Sequence, residues 1–446
     1  MENLSSRCLQ NVSSEEIRNF MSTVFGNPWS EGNPDGIFPM GIAENRLMHD
    51  EIANYINSNF RATPKMLTYG DGPTGSFELR AALATFWNSN FSPKEPVSRD
   101  HVTVMGGGSS ILDALSYCIA EEHEGILVAQ PFYVGFVGDF EDRARVKVVP
   151  VPIGALEDVT TMAGVEKHEE ALIVLREKGV KIRGLMLCNP HNPLGRCYAP
   201  EVLEAYLSLC SKYNIHLISD EVYAMAVFPN QDIPNPMSFT SILSIDIGKF
   251  CDPALVCVIY GMSKDFCSNG LRIGCIISQH NPTLHRTLGA ISKFAWASSL
   301  SDHVWTLMLN DQKFLDYYFS TLAQKMRNTY ELCTRRLKEF GISYIPASCG
   351  PFIWIDLRSY LTIPTIEAER ILSWKMLKHG IWLATGEAFA SEEPGWYRIT
   401  FAMDEKDLRF GMDRLWKVLS IVEEGFSKSS HLISRENPIS HSLYNK

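Results

Sequence analysis

Lys264 lies in the run Tyr260-Gly261-Met262-Ser263-Lys264-Asp265, directly after an apolar stretch and eight residues before Arg272. A primary amine at the end of a buried strand can attack a carbonyl and form an imine, and an arginine one loop away can hold an anion. One lysine proves little, because most lysines are solvated surface groups. The rest of the chain supplies the partners such an amine would need. Ser219-Asp220-Glu221-Val222-Tyr223 follows one apolar run, and Asn189-Pro190-His191-Asn192-Pro193-Leu194-Gly195 follows another. Gly106-Gly107-Gly108-Ser109-Ser110 opens a helical pattern, where glycines and the free N–H groups of a helix start let a phosphate approach.

Together these residue types suit pyridoxal 5'-phosphate. Lys264 would take the aldehyde and Arg272 the phosphate. An aspartate beneath the pyridine nitrogen, Asp220, would keep that nitrogen protonated so that the ring can absorb electrons released at a substrate carbon. Asn192 and Tyr223 can both reach the phenolic oxygen. Tyr133, in Pro131-Phe132-Tyr133, can stack on the ring. Arg398 lies in an otherwise apolar strand and needs a carboxylate, which an amino-acid substrate would bring. Each residue has a plainer reading alone: a serine-capped turn, a strand-to-helix loop, an N-cap aspartate, a core aromatic, an internal salt bridge. Their shared placement just past the ends of successive apolar runs argues for one site.

The elements that must position them read as α/β. Gly125–Ala129, Gly184–Cys188, Ile215–Ile218 and Leu255–Tyr260 are short apolar runs, with helical spacing between them, as over Pro200–Asn214. Strand–helix–strand repetition predicts a mostly parallel sheet flanked by helices, with ligands at the carboxyl ends of its strands. Further on, Leu315, Phe319, Leu322, Met326, Tyr330, Cys333 and Leu337 recur at spacings of three and four, a long amphipathic helix with Gly341 as its stop. Short strands follow at Phe352–Ile355 and Tyr397–Phe401. The expected organisation is an N-terminal segment over 1–60 packing with the small domain, a large cofactor-binding domain over 61–299, a smaller α+β domain over 300–426, and a mobile tail over 427–446.

Composition narrows the class. The formal charge of −10 argues against a nucleic-acid partner, and no apolar run approaches the length of a membrane span. Eleven scattered cysteines, without paired Cys-x-x-Cys spacing, point to reduced thiols rather than a zinc site or any other metal. The expectation is a soluble cytoplasmic enzyme acting on a small amino-acid substrate.

The chain resembles the class I aminotransferase superfamily of fold-type I pyridoxal phosphate enzymes (aspartate aminotransferase-like), and within it the aminocyclopropane-carboxylate synthases and their relatives. The likeness runs from about Gly32 to Phe410 and is carried by Met40-Gly41-Ile42-Ala43-Glu44-Asn45, Asn189–Gly195, Ser219–Ala224, Ser263-Lys264-Asp265 and Glu393-Pro394-Gly395-Trp396-Tyr397-Arg398. It implies that Lys264 is the Schiff-base lysine and proton carrier, and that Gly108, Ser109 and Arg272 hold the phosphate. It implies Arg398 and the Ala43-Glu44 stretch as substrate contacts, with Glu44 near a sulfonium end. Tyr69 would reach the phosphate of a neighbouring subunit, which implies a homodimer with shared sites. Two positions depart from the family pattern. Gly261 replaces a hydroxyl residue, so a phosphate contact is missing or passes to Ser263 or a water, and Gly138 replaces an arginine. The implied activity is a lyase that cleaves a C–S bond in S-adenosylmethionine or a cysteine-type thioether; an aminotransferase is the alternative, since the same constellation serves both.

Overall fold

The computed structural model of the protein describes residues 3–12 and 15–435. The alternating apolar runs become strands. In chain order they are β1 (Phe38–Pro39), β2 (Val102–Met105), β3 (Gly125–Ala129), β4 (Lys147–Val151), β5 (Ile182–Cys188), β6 (His216–Asp220), β7 (Val256–Gly261) and β8 (Gly274–Ile277), then β9 (Ser343–Ile345), β10 (Phe352–Asp356), β11 (Ile381–Trp382), β12 (Ala384–Thr385) and β13 (Trp396–Thr400). Seven of them form one sheet in the order β2-β8-β7-β6-β5-β3-β4. Only β8 runs against its neighbours. Ile126 and Val128 of β3 enter one apolar core, while Leu127 enters another on the opposite face. Both faces are therefore covered, which is why these strands read as unbroken apolar runs rather than as alternating ones.

The helical spacings hold as well. Pro200–Tyr213 is a helix that begins on its proline and ends on Asn214 in the left-handed region at φ 52°. The long stripe becomes the helix Gln312–Glu339, with Leu315, Leu322, Met326, Tyr330, Cys333 and Leu337 buried and Phe319 packed at its edge. Gly341 follows at φ 68°, a backbone state that glycine adopts at little cost.

Four short strands make a second, antiparallel sheet in the order β12-β13-β10-β9. Its register sets Arg398 of β13 opposite Trp354 of β10 and Ala384 of β12. The N-terminal stretch packs on this part of the chain. Phe38 pairs with Ile381, Trp29 packs on Phe38 and Phe410, and Val24, Ile37 and Leu377 form a small cluster. The helix starting at Glu405 continues to Arg435, and the rest of the tail expected from 427 lies outside the described residues.

Candidate active site

β5, β6 and β7 are adjacent and parallel, with Cys188 level with Asp220 and Asp220 level with Ile259. Their carboxyl ends therefore deliver three loops to one place: Asn189–Gly195, Asp220–Tyr223 and Met262–Lys264. This is where ligands bind on sheets of this kind. The Lys264 Nζ donates to the Ala43 carbonyl at 2.7 Å. Burial, helped by the Arg398 guanidinium, lowers the amine to about 8, while Asp220 and Glu44 pull the other way. The side chain is half-buried, so the amine is walled by protein yet reachable.

Asp220 is buried, and its Oδ1 accepts from the Val222 N–H at 3.3 Å. Burial raises it to about 7, with Lys264 opposing. Among the described residues no cation forms an ion pair with it, and a protonated ring nitrogen would supply one. Tyr223 is buried and lies within electrostatic reach of Arg398, Asp220 and Tyr133. Asn192 is buried, and its Oδ1 accepts from Arg398 Nη1 at 3.0 Å, which leaves its amide N–H groups to donate elsewhere. Arg398 also donates to the Gly41 carbonyl at 2.7 Å and lies over the rings of Phe352 and Phe389 at 5.0 and 4.8 Å. Its Nε has no partner. Thus a buried guanidinium pairs with no carboxylate among the described residues, and burial lowers its pKa. Among the described residues there is no internal salt bridge that would explain Arg398 without a substrate.

The phosphate end is built on backbone. Gly107 has φ 99°, and a Cβ there would lie 2.9 Å from Arg272 Nη2, so only glycine lets the guanidinium reach the loop. The helix Gly108–Ile119 starts at that point, with Ser109 exposed in its first turn. Arg272 is exposed and donates to the Asn269 carbonyl at 2.9 Å. Gly261 has a structural reason. A Cβ there would sit 3.0 Å from the Ile273 carbonyl oxygen and 3.1 Å from Gly274 Cα, because β7 and β8 pair Gly261 with Gly274. The strand pair has closed over the space a hydroxyl side chain would need. Ser263 is half-buried beside Lys264.

Tyr133 lies at the mouth, 39% exposed, edge-on to Phe136 at 5.4 Å and within electrostatic reach of Asp220, Arg398 and Arg272. Its ring lies over Gly135, where a Cβ would come 2.3 Å from it. Glu44 is held by Asn269 and Arg46 beside Lys264. Tyr69 is not drawn into this group. It is 84% exposed and stacks on Trp296 at 5.4 Å.

The residues present fit pyridoxal 5'-phosphate. A buried carboxylate without a cation, a depressed lysine amine and a glycine cradle against an arginine answer its ring nitrogen, its aldehyde and its phosphate. Sequence reasoning missed Arg46, Asn269 and Gly135 as contributors, and read Gly107 as part of the glycine run before the helix. Arg46 stands two residues from Glu44 and was the one visible signal; Asn269 and Gly135 matter only through contacts made in three dimensions.

The sequence model described as aminotransferase class I and II matches residues 37–415. The chain belongs to that family. Its relatives include the probable aminotransferase aclI of Aspergillus oryzae, 34% identical and covering 85% of this chain and 90% of that one. They also include 1-aminocyclopropane-1-carboxylate synthase 2 of Solanum lycopersicum, 30% identical over 89% of this chain and 83% of that one. The aspartate aminotransferase of Thermus thermophilus solved with maleate superposes with a TM-score of 0.75, covering 94% of this chain and all of that one at 20% identity, and so shares the fold. This family member is a pyridoxal phosphate-dependent enzyme with an aspartate aminotransferase-like fold. Among its described residues no helix is long and apolar enough to cross a membrane.

Proposed function

We propose that the protein is a lyase that breaks a C–S bond in an amino-acid substrate and releases the sulfur-bearing fragment. The observation that carries this reading is Glu44, a carboxylate held by two side chains beside the catalytic amine, on the stretch that resembles the synthases. When bound, pyridoxal phosphate supplies an aldehyde for the amine and a ring that takes up electrons at the substrate's α-carbon. Gly107, Gly108, Ser109 and Arg272 would hold its phosphate, Asp220 its ring nitrogen, Asn192 and Tyr223 its phenolic oxygen, and Tyr133 its face.

The rest is work for the chain's own side chains. Arg398 seats the substrate α-carboxylate, with its Nε N–H still without a partner. Lys264, lowered to about 8, is basic enough to take the α-proton near neutral pH and neutral often enough to do so. The C–S bond then breaks with both electrons leaving on sulfur. Loss from the β-carbon, followed by protonation of the sulfur, gives a free thiol; the remaining unsaturated amino acid adds water and ends as a 2-oxo acid and ammonia. Loss from the γ-carbon of a sulfonium, with the electron pair left at the α-carbon forming a bond to the γ-carbon, gives a neutral thioether and a cyclopropane amino acid. The exposed Tyr69–Trp296 stack, with Leu67 82% and Phe294 70% exposed nearby in sequence, supports a homodimer in which Tyr69 reaches the partner's phosphate. Eleven free thiols support a reducing, cytoplasmic setting.

Purified holoenzyme incubated with S-alkyl cysteines and with S-adenosylmethionine should liberate a thiol or methylthioadenosine, read with a thiol dye or by chromatography. An absence of both, together with amino transfer to a 2-oxo acid, would favour the second reading. That reading is an aminotransferase, and the Aspergillus oryzae relative, itself described as a probable aminotransferase, supports it.

A further inference from the structure

Both oxygens of the Glu44 carboxylate are already engaged. Oε1 accepts from Asn269 Nδ2 at 2.9 Å and Oε2 accepts from Arg46 Nε at 3.1 Å. Burial pushes Glu44 up, but Asn269 and Arg46 outweigh it and the net shift is downward, so the carboxylate is ionised and its charge is matched. Arg46 is anchored at its backbone. Its backbone N–H donates to the Ala402 carbonyl at 2.9 Å, and its side chain is 31% exposed against 26% for Glu44. The titratable groups acting on Glu44 are Arg46, His49 and Lys264, and Asp407 lies within electrostatic reach of Arg46. Every group acting on Glu44 from nearby is thus a hydrogen-bond donor or a cation.

A carboxylate recognises a cationic side chain best when its charge is unmatched; a cation that approached Glu44 would meet a guanidinium bonded to the same carboxylate. We infer that Arg46 cancels the charge of Glu44 and tunes the side-chain end of the site to uncharged thioethers of the cysteine type, against sulfonium and other cationic substrates. The inference rests on the lyase reading only for the sulfur; selection against positive charge holds for whatever follows binding.

The test compares methionine with S-methylmethionine, which differ by one methyl group and one positive charge. Dissociation constants come from the change in cofactor absorbance when holoenzyme is titrated with each. Wild type should bind methionine about tenfold or more tightly than S-methylmethionine. Arg46→Gln should move that ratio about tenfold toward the cation, Arg46→Lys should keep it, and the double variant Glu44→Gln with Arg46→Gln should lose the gain. A wild type that prefers S-methylmethionine, or a ratio unmoved in Arg46→Gln, overturns the proposal. If Arg46→Gln does not fold, the wild-type ratio and the lysine variant still decide. Neither ligand has to lose a thiol, so this result stands apart from the lyase assay.

Discussion

The amine of Lys264 should react as a far weaker base than a surface lysine. Its ordinary value of 10.5 falls to about 8, with burial as the larger cause and Arg398 as the second. At pH 7.5 that raises the neutral fraction from about 0.1% to roughly a quarter, a gain of roughly 200-fold in reactive amine. The assay is the rate at which cofactor-free protein captures pyridoxal phosphate, followed by absorbance from pH 6 to 10 and normalised to the reaction with a free lysine derivative. Borohydride trapping and peptide mapping identify the residue labelled. The rate before normalisation should climb about tenfold per pH unit at first and level near pH 8, so that its ratio to the free lysine derivative is level below pH 8 and falls above it. Arg398→Gln should move the midpoint upward but leave it well below 10.5, since burial remains. A wild-type midpoint at 10 or above, or a label on another lysine, would show that the site does not impose the low dielectric this argument requires.

Gly261→Ser should destabilise the protein by about 1–3 kcal/mol, because a Cβ there meets backbone of β8 rather than a movable side chain; a urea midpoint unchanged from wild type would refute the close packing of that strand pair. Asp265 is buried, accepts from Tyr260 Oη at 3.0 Å and the Met225 N–H at 2.9 Å, and is raised from 3.8 to about 8 by burial. The folded state therefore keeps a proton that the unfolded chain releases near pH 4, so the stability it lends is complete below that point and drains away as pH rises through about 8. Measured by urea unfolding between pH 5 and 8, the stability of Asp265→Asn relative to wild type should improve by about 1 kcal/mol per pH unit, and a flat difference would falsify the protonated state.

The cofactor end was legible in the sequence because its chemistry sits at strand ends. Apolar runs announce buried parallel strands, and the first polar residues after them, Asn192, Asp220 and Lys264, have to emerge at one edge of the sheet. Arg398 was legible for a related reason: a lone guanidinium inside an apolar strand has to find a partner. Less could be seen where function depends on what a residue lacks. Gly261 read as a missing phosphate contact, and only the pairing of Gly261 with Gly274 shows that a side chain there would strike backbone. That Arg46 stands close to Glu44 was visible, but not that the two pair. Two residues apart on an irregular stretch, they could face each other or opposite ways, and no periodicity decides between those arrangements.

That irregular stretch explains how a shared cofactor site can serve different substrates. From Gly41 to Arg46 the chain offers the Gly41 carbonyl to Arg398, the Ile42 carbonyl to Thr400, the Ala43 carbonyl to Lys264 and the Glu44 carboxylate to Arg46 and Asn269. A substrate carboxylate arriving at Arg398 must share a guanidinium already bonded to Gly41, and its amine must approach a lysine already bonded to Ala43. Seating the substrate therefore perturbs two bonds to the segment that also carries the side-chain selector. Changes along this stretch reach carboxylate binding, lysine basicity and side-chain charge at once, while the anchors beneath the cofactor, fixed by β5, β6 and β7, stay as they are. On that account specificity in this protein should shift through Gly41–Arg46 before it shifts through the strand-end residues, because the strand ends are bound to one another by the sheet, while the segment meets Arg398, Lys264 and Asn269 through separate bonds.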